Sequence, residues 1–336
     1  MRLFVTGGAG FIGSCFVRWV IRTQPGVSVT TYDALTHAGN LHNLRDVDER
    51  RHRFVRGDIA DDALLRDVLP GHQAVVNFAA ESHVDRSITG SADFLRTNVL
   101  STHVLFTAAR DCGVPRFLHI STDETYGVAT APGRFREGDA LEPNSPYAVS
   151  KAAADLLARA SRVTFDYPIT ITRATNNFGP YHYPEKVVPL FITNLLDGEP
   201  VPVYGTGANV RDWTYVEDNC VAQWLVLTEG EPGGIYNVGA GNEMTNLELT
   251  RRIVESVGCG EDMIHHVTDR PGHDLRYAVD TSKVRALGWS PGHDFDEALA
   301  ATIAWYRSNE WWWRPLKQGG ATRRQGLLHD RQVRTG

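Results

Sequence analysis

Two groups of side chains between Ser121 and Lys151 have the types and spacing needed for acid–base chemistry. Ser121-Thr122-Asp123-Glu124 brings hydroxyl groups and two carboxyl groups together. Tyr147 and Lys151 are four residues apart, which puts a phenol and an ammonium on one face of a helix. A nearby ammonium lowers the pKa of a phenol and makes it a base that works near neutral pH. We therefore expect these residues to carry out a reaction rather than binding alone.

The elements around these residues predict that they meet at one edge of a sheet. Arg116-Phe117-Leu118-His119-Ile120 has the apolar character of a buried strand, and the acidic pair follows its carboxyl end. Ligands bind at that edge in open α/β sheets. Ser145 and Pro146 are a typical N-cap and first helical residue. They predict a helix that carries Tyr147 and Lys151 and runs to about Phe165.

The N-terminus carries a glycine pattern between a predicted strand and a predicted helix. Arg2 to Thr6 is expected to be a strand, and a helix should follow to about Thr23. Gly7, Gly10 and Gly13 are three residues apart, a spacing that lets the backbone approach a pyrophosphate at a helix N-terminus. A plain tight turn is the alternative interpretation.

Asp33 supports the interpretation of the glycine pattern as a dinucleotide site. It follows the predicted strand Val27 to Tyr32 and lies 20 residues after Gly13. A carboxylate at this point can bind the adenosine ribose hydroxyls and repels a 2'-phosphate, which favours NAD over NADP. The alternative is that Asp33 only caps a turn.

Further alternation of strands and helices predicts the fold class. Strands are expected at 53–57, 74–78 and 169–172, with helices at 61–69 and 92–112. This alternation is typical of a doubly wound parallel sheet of the Rossmann type. Asp58 and the loop from Ala79 to Ser82 lie at strand ends, where they could contact adenine and nicotinamide or be ordinary loop residues.

The C-terminal part of the chain has a different pattern. From Arg173 onward turn formers interrupt the alternation, as in Asn176-Asn177-Phe178-Gly179-Pro180. Strands are predicted at 201–204 and 235–238, with a helix at 216–228. Another helix is predicted to about Val257, with Thr245 or Asn246 as its N-cap; Glu248 is at the capping-box position for Thr245. We expect a Rossmann domain over 1–173 with sheet contributions from parts of 205–240. A smaller mixed α/β substrate lobe should cover 174–316, and 317–336 is predicted to be a disordered tail.

Arg211 and Arg270 are the candidate phosphate-binding residues of this lobe. A guanidinium can hold a diphosphate with two parallel hydrogen bonds. Each arginine has an aspartate beside it in the sequence, so an ordinary ion pair is the alternative. His265 and His266 have no evident third ligand, and no metal site is predicted. The aromatic residues Trp305, Tyr306 and Trp311 to Trp313 are expected to cover an apolar surface or a partner.

The overall composition excludes some functions. Of 336 residues, 42% are hydrophobic and 22% are charged, as in soluble globular proteins. A net charge of -6 argues against a nucleic-acid surface. No apolar run approaches the roughly 20 residues of a membrane span. The four cysteines lack paired spacing and are expected to be buried, reduced thiols of a cytoplasmic protein.

With these motifs in place, about residues 1 to 316 resemble the extended short-chain dehydrogenase/reductases, and more narrowly the dTDP-glucose 4,6-dehydratases. The glycine pattern and Tyr147-x-x-x-Lys151 are typical of the whole superfamily. The more selective motifs are Thr122-Asp123-Glu124 with Tyr126-Gly127, Ala80-Glu81-Ser82-His83-Val84-Asp85-Arg86-Ser87, Asn176-Asn177-Phe178-Gly179-Pro180 with Pro184-Glu185-Lys186, and Asn209-Val210-Arg211-Asp212-Trp213.

The resemblance implies a lyase that uses NAD without net consumption. Tyr147, kept as phenolate by Lys151, would take the C4 hydroxyl proton of a dTDP-glucose substrate as NAD takes the C4 hydride. Glu124 would remove the C5 proton, Asp123 would protonate the departing C6 hydroxyl, and the hydride would return to C6. Thr122 would orient the C4 hydroxyl. Two neighbouring carboxyls can divide their pKa values so that one is an acid and the other a base.

The resemblance also implies binding residues and a homodimer formed through the helices that end near Cys112 and Phe165. The implied cofactor residues are Gly7, Gly10, Phe11, Ile12, Gly13, Asp33, Ala34, Leu35, Thr36, Asp58, Ile59, Ala79, Ala80, Ser82, Thr97, Tyr147, Lys151 and Asn177. The implied substrate residues are Ser82, Thr122, Asn176, Lys186, Val187, Val188, Pro189, Leu190, Pro202, Val203, Tyr204, Arg211, Asn246, Arg270 and His273.

Four positions depart from the usual family pattern, and other functions stay open. Ala34 replaces a common lysine, His37 a tyrosine, Thr125 a valine and Phe178 a tyrosine. The alternatives are a UDP-sugar 4,6-dehydratase, a nucleotide-sugar 4-epimerase, or an NAD-binding protein without catalysis. A 4-epimerase of this family usually lacks the acid pair, which favours the dehydratase.

Overall fold

The computed structural model describes residues 1–318, and its strands form one large and two small sheets. The strands are β1 (Arg2–Thr6), β2 (Ser28–Asp33), β3 (His52–Arg56), β4 (Ala74–Asn77), β5 (Arg116–Thr122), β6 (Ile169–Ala174), β7 (Asn176–Phe178), β8 (Val201–Tyr204), β9 (Val210–Tyr215), β10 (Ile235–Val238), β11 (Glu243–Thr245) and β12 (Ile264–Val267).

The helices pack on both faces of the large sheet and around the small sheets. They are α1 (Phe11–Thr23), α2 (Asp62–Val68), α3 (Val84–Thr89), α4 (Ser91–Leu95), α5 (Thr102–Asp111), α6 (Pro146–Phe165), α7 (Val187–Leu196), α8 (Val216–Glu229), α9 (Asn246–Val257), α10 (Ser282–Ala286), α11 (Phe295–Ser308) and α12 (Glu310–Gln318). Short 3-10 helices lie at 41–44, 123–126 and 261–263, and a π-helix lies at 96–101.

The large sheet confirms the predicted fold class. Its seven strands are in the order β10-β6-β5-β4-β1-β2-β3, and every pair is parallel. From β1 the chain continues to β2 and β3 on one side of β1 and then crosses to β4 on the other side. The strand order therefore reverses between β1 and β4. The carboxyl ends of these strands border the crevice in which doubly wound folds bind ligands.

Apolar strands explain why the sheet is buried on both faces. Leu3 and Val5 pack with α1 and α8, while Phe4 faces the opposite layer with α2 and α5. A parallel sheet covered on both faces needs such continuous apolar runs rather than alternation. Cys15 and Cys220 are buried in the first layer, but Cys112 and Cys259 are partly exposed, so the expectation of four buried thiols was wrong for these two.

The remaining strands form the part of the chain that is predicted to bind substrate. A three-stranded sheet has the order β11-β9-β7, and β8 pairs with β12. The run that sequence analysis read only as turns therefore contains a short strand, β7. Thr245 and Glu248 make the predicted capping box at the start of α9. The side chain of Thr245 accepts a hydrogen bond from the Glu248 amide, and the Glu248 carboxylate accepts one from the Thr245 amide.

The aromatic residues near the C-terminus fill the core of this second region. Tyr306 and Trp313 are fully buried, Trp312 is 3% exposed, and Trp311 is 42% exposed. Trp305 is partly exposed, so Trp305 and Trp311 are the members of this group that remain accessible at the surface. Residues 317 and 318 belong to α12, so the prediction of a disordered tail is wrong for them. The rest of that predicted tail lies outside the described residues.

The predicted long helix at 92–112 is interrupted, and the preceding helix α3 was missed. Between α4 and α5 the chain forms a π-helix over 96–101. The cause lies at Asn98, whose side chain accepts a hydrogen bond from the Glu81 amide at 2.9 Å and donates to the Glu81 carbonyl at 2.9 Å and to Ser150 Oγ at 2.8 Å. The bulge thus fixes the loop after β4 against α6. Within residues 1–318, no helix has the length and apolar character that crossing a membrane requires.

Candidate active site

The acidic pair lies directly after β5, where a short helical turn fixes it. Thr122 ends the strand, and its hydroxyl oxygen accepts a hydrogen bond from the Glu124 amide at 3.3 Å. The same hydroxyl donates to Asp123 Oδ1 at 3.2 Å. Thr125, which replaces the usual valine, donates its hydroxyl to the Thr122 carbonyl at 2.8 Å. This substitution therefore adds a hydrogen bond that holds the turn.

Helix α6 brings Tyr147 and Lys151 to the same strand end. Ser145 is the N-cap and its hydroxyl oxygen accepts a hydrogen bond from the Ala148 amide at 3.1 Å, as predicted. The Tyr147 amide donates to Ser87 Oγ at 3.2 Å, and Lys151 Nζ donates to the Ile120 carbonyl at 2.6 Å. The helix start and the strand end are thus joined, with the phenol next to the acidic turn.

Burial gives the two carboxyl groups different acid–base properties. Desolvation, followed by the charge of Glu124, raises the pKa of Asp123 to about 8. Desolvation also raises the pKa of Glu124, but the charges of Arg270, Arg211 and Lys186 oppose that effect. Asp123 Oδ2 and Glu124 Oε2 are buried without a hydrogen-bond partner in the described chain. At neutral pH the pair can hold one proton, which belongs mainly on Asp123.

The phenol and the ammonium do not follow the simple prediction from their spacing. Burial, together with the charge of Glu124, raises the pKa of Tyr147 well above its ordinary value, although a hydrogen bond with Thr122 opposes the shift. Burial also lowers the pKa of Lys151 to about 8, against the charge of Asp155. The expectation that Lys151 would lower the pKa of Tyr147 was therefore wrong for the protein alone. Desolvation is the largest cause of the shift, and the helical spacing of the two residues does not contain it.

The glycine turn after β1 has the close contacts that a dinucleotide site needs. Gly7 has φ +65, and a Cβ atom there would lie 2.5 Å from the Ala79 backbone nitrogen. A Cβ atom at Gly13 would lie 2.3 Å from the Gly7 carbonyl oxygen. Helix α1 starts at Phe11 with no side chain on its N-cap and no acidic residue in its first turn. The first amides of α1 are therefore free of competing side chains, and the turn fits a pyrophosphate.

Asp33 lies at the carboxyl end of β2 and is fixed by this turn. Its carboxylate accepts hydrogen bonds from the Ala9 amide at 2.9 Å and from the Leu35 amide at 2.8 Å. Leu35 has φ 55, so the chain bends sharply there. Ala34 and Thr36 flank this bend in the same loop. The group is held in the position from which a carboxylate can bind ribose hydroxyls.

The other predicted cofactor residues surround the crevice, with one exception. Asp58 follows β3, and Ala79 follows β4 with its amide bonded to Asn77 Oδ1 at 3.2 Å. Asn177 Oδ1 is buried without a partner among the described residues. Ile59, in contrast, is 4% exposed and packs in the core with Leu65, so only its backbone can contact a ligand. The remaining members, Gly10, Ile12, Ala80, Ser82 and Thr97, lie in the glycine turn and α1, in the loop after β4 and in the π-helix.

A strap over residues 181–186 connects the glycine turn with a large cavity. The ring of His182 stacks on Phe11 at a centroid distance of 4.1 Å, with 11° between the rings. Glu185 Oε2 lies 2.8 Å from Nε2 of His37 in the loop after Asp33. Lys186, at the end of the strap, donates to the Ser82 carbonyl at 2.6 Å and lines the cavity. His37, a departure from the family pattern, therefore joins the cofactor loop to the strap.

The cavity has a volume of about 730 Å³ and opens between the acidic turn and the C-terminal lobe. Glu124 lines it. Twelve of the predicted substrate residues also line it: Ser82, Asn176, Lys186, Val187, Leu190, Pro202, Val203, Tyr204, Arg211, Asn246, Arg270 and His273. Thr122, Val188 and Pro189 do not. Val188 and Pro189 are buried in the first turn of α7, and Thr122 is buried at the end of β5, where its hydroxyl group bonds to the residues of the acidic turn.

The two candidate phosphate-binding arginines do not pair with the aspartates beside them in the sequence. Arg211 donates to the Asp274 carbonyl at 2.9 Å and lies over the ring of Tyr277 at 4.1 Å. Asp212 instead accepts hydrogen bonds from the amides of residues 241 and 242. Arg270 pairs with Asp85, far away in the sequence, at 2.9 Å. Both guanidinium groups are largely buried and line the cavity, as a diphosphate site requires.

Sequence reasoning missed many residues of the cavity wall. They are His83, Val84, Asp85, Glu185, Phe191, Asn194, Asp197, Glu199, Trp213, Thr250, Tyr277, Lys317 and Gln318. Asp85 and Glu185 stand inside motifs that were recognised, but no role was assigned to them. Lys317 and Gln318 had no local signal, because they come from the run expected to be disordered.

Phe178, the last of the unusual residues, is not at the ligand site. It is 1% exposed and packs against Phe295 and Tyr215 at centroid distances of 5.2 and 5.7 Å. The region described here, residues 1–318, contains no group of three or more His, Cys, Asp or Glu side chains that could hold a metal ion.

The parallel sheet, the glycine turn at its crevice and the tyrosine and lysine one helical turn apart define an extended short-chain dehydrogenase/reductase. A family model described as GDP-mannose 4,6 dehydratase matches residues 4–302. A dTDP-glucose 4,6-dehydratase of Streptomyces niveus is 54% identical over 94% of this chain and 96% of its own length. The chain belongs to the dTDP-glucose 4,6-dehydratase family.

Solved structures agree with this assignment. The dTDP-glucose 4,6-dehydratase DesIV of Streptomyces venezuelae, solved with NAD bound, is 52% identical with a TM-score of 0.92, over 94% of this chain and 100% of its own. A UDP-glucose 4-epimerase of Thermus thermophilus in complex with NAD is 31% identical with a TM-score of 0.85, over 92% of this chain and 100% of its own. The fold is thus shared with epimerases, so the fold alone does not decide the reaction.

Proposed function

We propose that the protein catalyses the NAD-dependent dehydration of dTDP-glucose to dTDP-4-keto-6-deoxyglucose. The observation that carries the proposal is the buried acid pair beside Tyr147, in which burial and Glu124 raise the pKa of Asp123 to about 8. An elimination needs an acid and a base at adjacent carbons, and this pair supplies both at neutral pH. The identity of 54% to a named dTDP-glucose 4,6-dehydratase supports the same reaction.

Each catalytic side chain has one proton to move or hold. Tyr147 takes the proton of the C4 hydroxyl, and Thr122 orients that hydroxyl. Once C4 is a ketone, the C5 proton is acidic and Glu124 removes it. Asp123 gives its proton to the C6 hydroxyl, which leaves as water. NAD, when bound, would accept the C4 hydride and supply it to C6, so the cofactor is not consumed. Glu124 returns its proton to C5 as C6 receives the hydride, which completes the 4-keto-6-deoxy sugar.

The electrostatics of the pair support this division of roles. Glu124 lines the cavity and faces the charges of Arg270, Arg211 and Lys186, which favour its ionised form. Asp123 is 3% exposed and lies behind it, where the neutral form is favoured. Glu124, which faces the cavity where the sugar binds, is therefore the base, and Asp123 is the acid. Because burial and the charge of Glu124 raise the pKa of Tyr147, the phenol is protonated in the protein alone and must lose this proton before it can take that of the C4 hydroxyl. The positive charges of Lys151 and of the nicotinamide ring of bound NAD would favour that loss.

The chain's own residues fit NAD as the cofactor. The glycine turn and the first amides of α1 would hold the pyrophosphate, and Asp33 would hold the adenosine ribose. The negative charge of Asp33 opposes a 2'-phosphate, which favours NAD over NADP. The loop from Ala79 to Ser82 and the Asn177 side chain, whose Oδ1 is buried without a partner in the described chain, would border the nicotinamide end.

Arg211 and Arg270 would bind the diphosphate, and residues of β8 would line the nucleoside end. The substrate lobe is proposed to extend over 174–316, with residues 1–173 and β10 forming the dinucleotide domain. A cytoplasmic location belongs to the same proposal, since Cys15 and Cys220 lie together in the core as free thiols.

A side-by-side assay of dTDP-glucose and UDP-glucose tests the reaction and the base together. A 4-keto-6-deoxy product develops ultraviolet absorbance in alkali, whereas a 4-epimer does not. We expect the signal with dTDP-glucose, and Glu124→Gln should abolish it together with exchange of the C5 hydrogen into deuterated water. Glu229→Gln, at an exposed residue that ends α8, is the matched control. A silent wild-type reaction that yields the C4 epimer would show an epimerase instead.

A homodimer through α5 and α6 is the assembly that we propose. Large apolar side chains are exposed on α6 and on the π-helix that leads into α5: Leu100 is 65% exposed, Leu156 57%, Val163 73% and Phe165 55%. Such a patch is unusual on a monomer and fits a self-complementary helical contact. The double variant Leu156→Glu with Val163→Glu should shift the mass in sedimentation equilibrium from dimer to monomer. A wild-type protein that sediments as a monomer at micromolar concentration would contradict the proposal.

A further inference from the structure

Asp85 connects the dinucleotide side of the crevice with two separate segments of the substrate lobe. It lies in the first turn of α3, and each of its carboxylate oxygens has its own partner. Oδ1 accepts a hydrogen bond from Arg270 Nη1 at 2.9 Å, and Oδ2 accepts one from the Tyr204 hydroxyl at 3.0 Å. Arg270 comes from the loop after β12, and Tyr204 from the end of β8. All three side chains line the cavity.

This contact is buried and leaves part of the guanidinium available. The Asp85 side chain is 12% exposed and that of Arg270 is 19% exposed. Arg270 Nε is buried and has no hydrogen-bond partner within residues 1–318. A buried N–H without a partner is costly, so a donor of this kind in a ligand cavity points to an anionic ligand that completes it. The pair with Asp85 fixes one edge of the guanidinium and leaves the edge with Nε for that ligand.

Charge balance supports the same interpretation. Desolvation raises the pKa of Asp85, but the charge and hydrogen bond of Arg270 outweigh it and hold the pKa below its ordinary value. The carboxylate therefore stays ionised at the pH at which a diphosphate is bound. Within residues 1–318, in contrast, the Arg211 guanidinium donates its hydrogen bonds to carbonyl oxygens and lies over the face of Tyr277. The two arginines of the site are thus held in different ways, one by a carboxylate and one by the backbone.

We propose that Asp85 is a positioning residue that orients Arg270, and with it Tyr204, for the diphosphate of the sugar nucleotide. The inference rests on the proposed function, because it needs a nucleoside diphosphate in this cavity. Asp85 itself does not touch the reacting carbons in this arrangement. Its loss should weaken binding of the nucleotide rather than slow the chemistry of bound substrate.

The first experiment measures binding to Asp85→Asn by isothermal titration calorimetry, with dTDP and UDP as probes and NAD present. The Kd of both nucleotides should rise by at least about tenfold, since removing one partner from a buried charge pair is costly. The Kd of NAD and the kcat at saturating substrate should change less than about threefold. Asp296→Asn is the matched control, because Asp296 also pairs with an arginine, Arg252, but is 67% exposed and does not line the cavity. Unchanged or tighter nucleotide binding by Asp85→Asn would overturn the proposal.

A double-mutant cycle separates positioning from a general structural effect. If Asp85 acts through Arg270, then Asp85→Asn should add less than about twofold to the binding defect of Arg270→Gln. If the two substitutions weaken nucleotide binding independently, so that their binding defects add, Asp85 does not act through Arg270. Asp85→Glu should restore part of the affinity, since it keeps the charge. If the variants fail to fold, Tyr204→Phe removes one contact of Asp85 at the cavity wall, and should raise the Kd of both nucleotides by a smaller, equal factor.

The outcomes distinguish this inference from the proposed function. A wild-type protein that binds nucleoside diphosphates but does not dehydrate dTDP-glucose would refute the proposed reaction and leave the role of Asp85 testable. Equal losses for dTDP and UDP support an effect at the diphosphate. A loss confined to dTDP would show that Asp85 acts on the base, and would overturn the inference.

Discussion

The high pKa of Asp123 leads to a specific pH dependence of the elimination step. Burial and the charge of Glu124 raise this pKa to about 8, and the carboxyl must be protonated to act as the acid. At about pH 7 it is protonated in roughly ten molecules for each ionised one, and at about pH 9 this ratio is reversed. The elimination rate should therefore fall by nearly tenfold between these pH values, with its midpoint near the pKa.

Lys151 is the confounding group, since burial lowers its pKa to about 8 as well. The two titrations act on different steps. Loss of the proton from Lys151 affects the oxidation at C4 through Tyr147, whereas Asp123 affects only loss of water. Single-turnover reactions separate them, because a C4 deuterium slows the two hydride transfers, at C4 and at C6, whereas a C5 deuterium slows the loss of the C5 proton that begins the elimination.

Asp123→Asn provides the decisive comparison. It should slow the elimination by about 10² to 10⁴ and abolish the fall of the elimination rate between about pH 7 and 9. The oxidation step should keep its own pH profile. An elimination rate that stays flat from about pH 7 to 9 in the wild type would refute the assignment of Asp123 as the acid. If the elimination rate of Asp123→Asn falls over the same pH range, Lys151 causes the fall instead.

Three further substitutions test the tyrosine, the cofactor turn and the C-terminal core. Tyr147→Phe should lower turnover by about 10³ in the steady-state assay while NAD binding is retained; full activity would exclude the phenol as base. Gly7→Ala puts a Cβ atom 2.5 Å from a backbone nitrogen at a residue with φ +65. It should weaken NAD binding about tenfold in a fluorescence titration. Gly26→Ala, where the Cβ atom would be in open space, should leave NAD binding unchanged. Trp313→Ala, at a fully buried residue, should lower the free energy of unfolding in urea by about 3–5 kcal/mol, and Trp311→Ala by much less. Equal effects within the glycine pair or the tryptophan pair would contradict these interpretations.

The elements around the site could be predicted because their signals are local. The glycine turn, the N-cap Ser145 with Pro146 and the strand that ends before Asp123 each occupy a few consecutive residues. Local backbone chemistry fixes them whatever the rest of the chain does. For the same reason the capping box at Thr245 was predicted correctly.

The contacts that cross the molecule could not be predicted in this way. Asp85 and Arg270 are 185 residues apart, and nothing near either one indicates its partner. The π-helix at 96–101 depends on Asn98 and a loop 17 residues before it. The direction of the pKa shift of Tyr147 depends on burial by several segments, which a helical spacing does not contain. Packing between segments that are far apart in the sequence thus decides these features, which sequence motifs do not determine.

The strap over 181–186 makes the two ligand sites mechanically dependent on each other. His182 and Glu185 contact Phe11 and His37 on the cofactor side, and the adjoining Lys186 holds the Ser82 carbonyl at the cavity wall. A displacement of the strap away from α1 would therefore also move the cavity wall that faces the sugar. A cofactor retained from one catalytic cycle to the next would keep the sugar pocket in its working shape between turnovers.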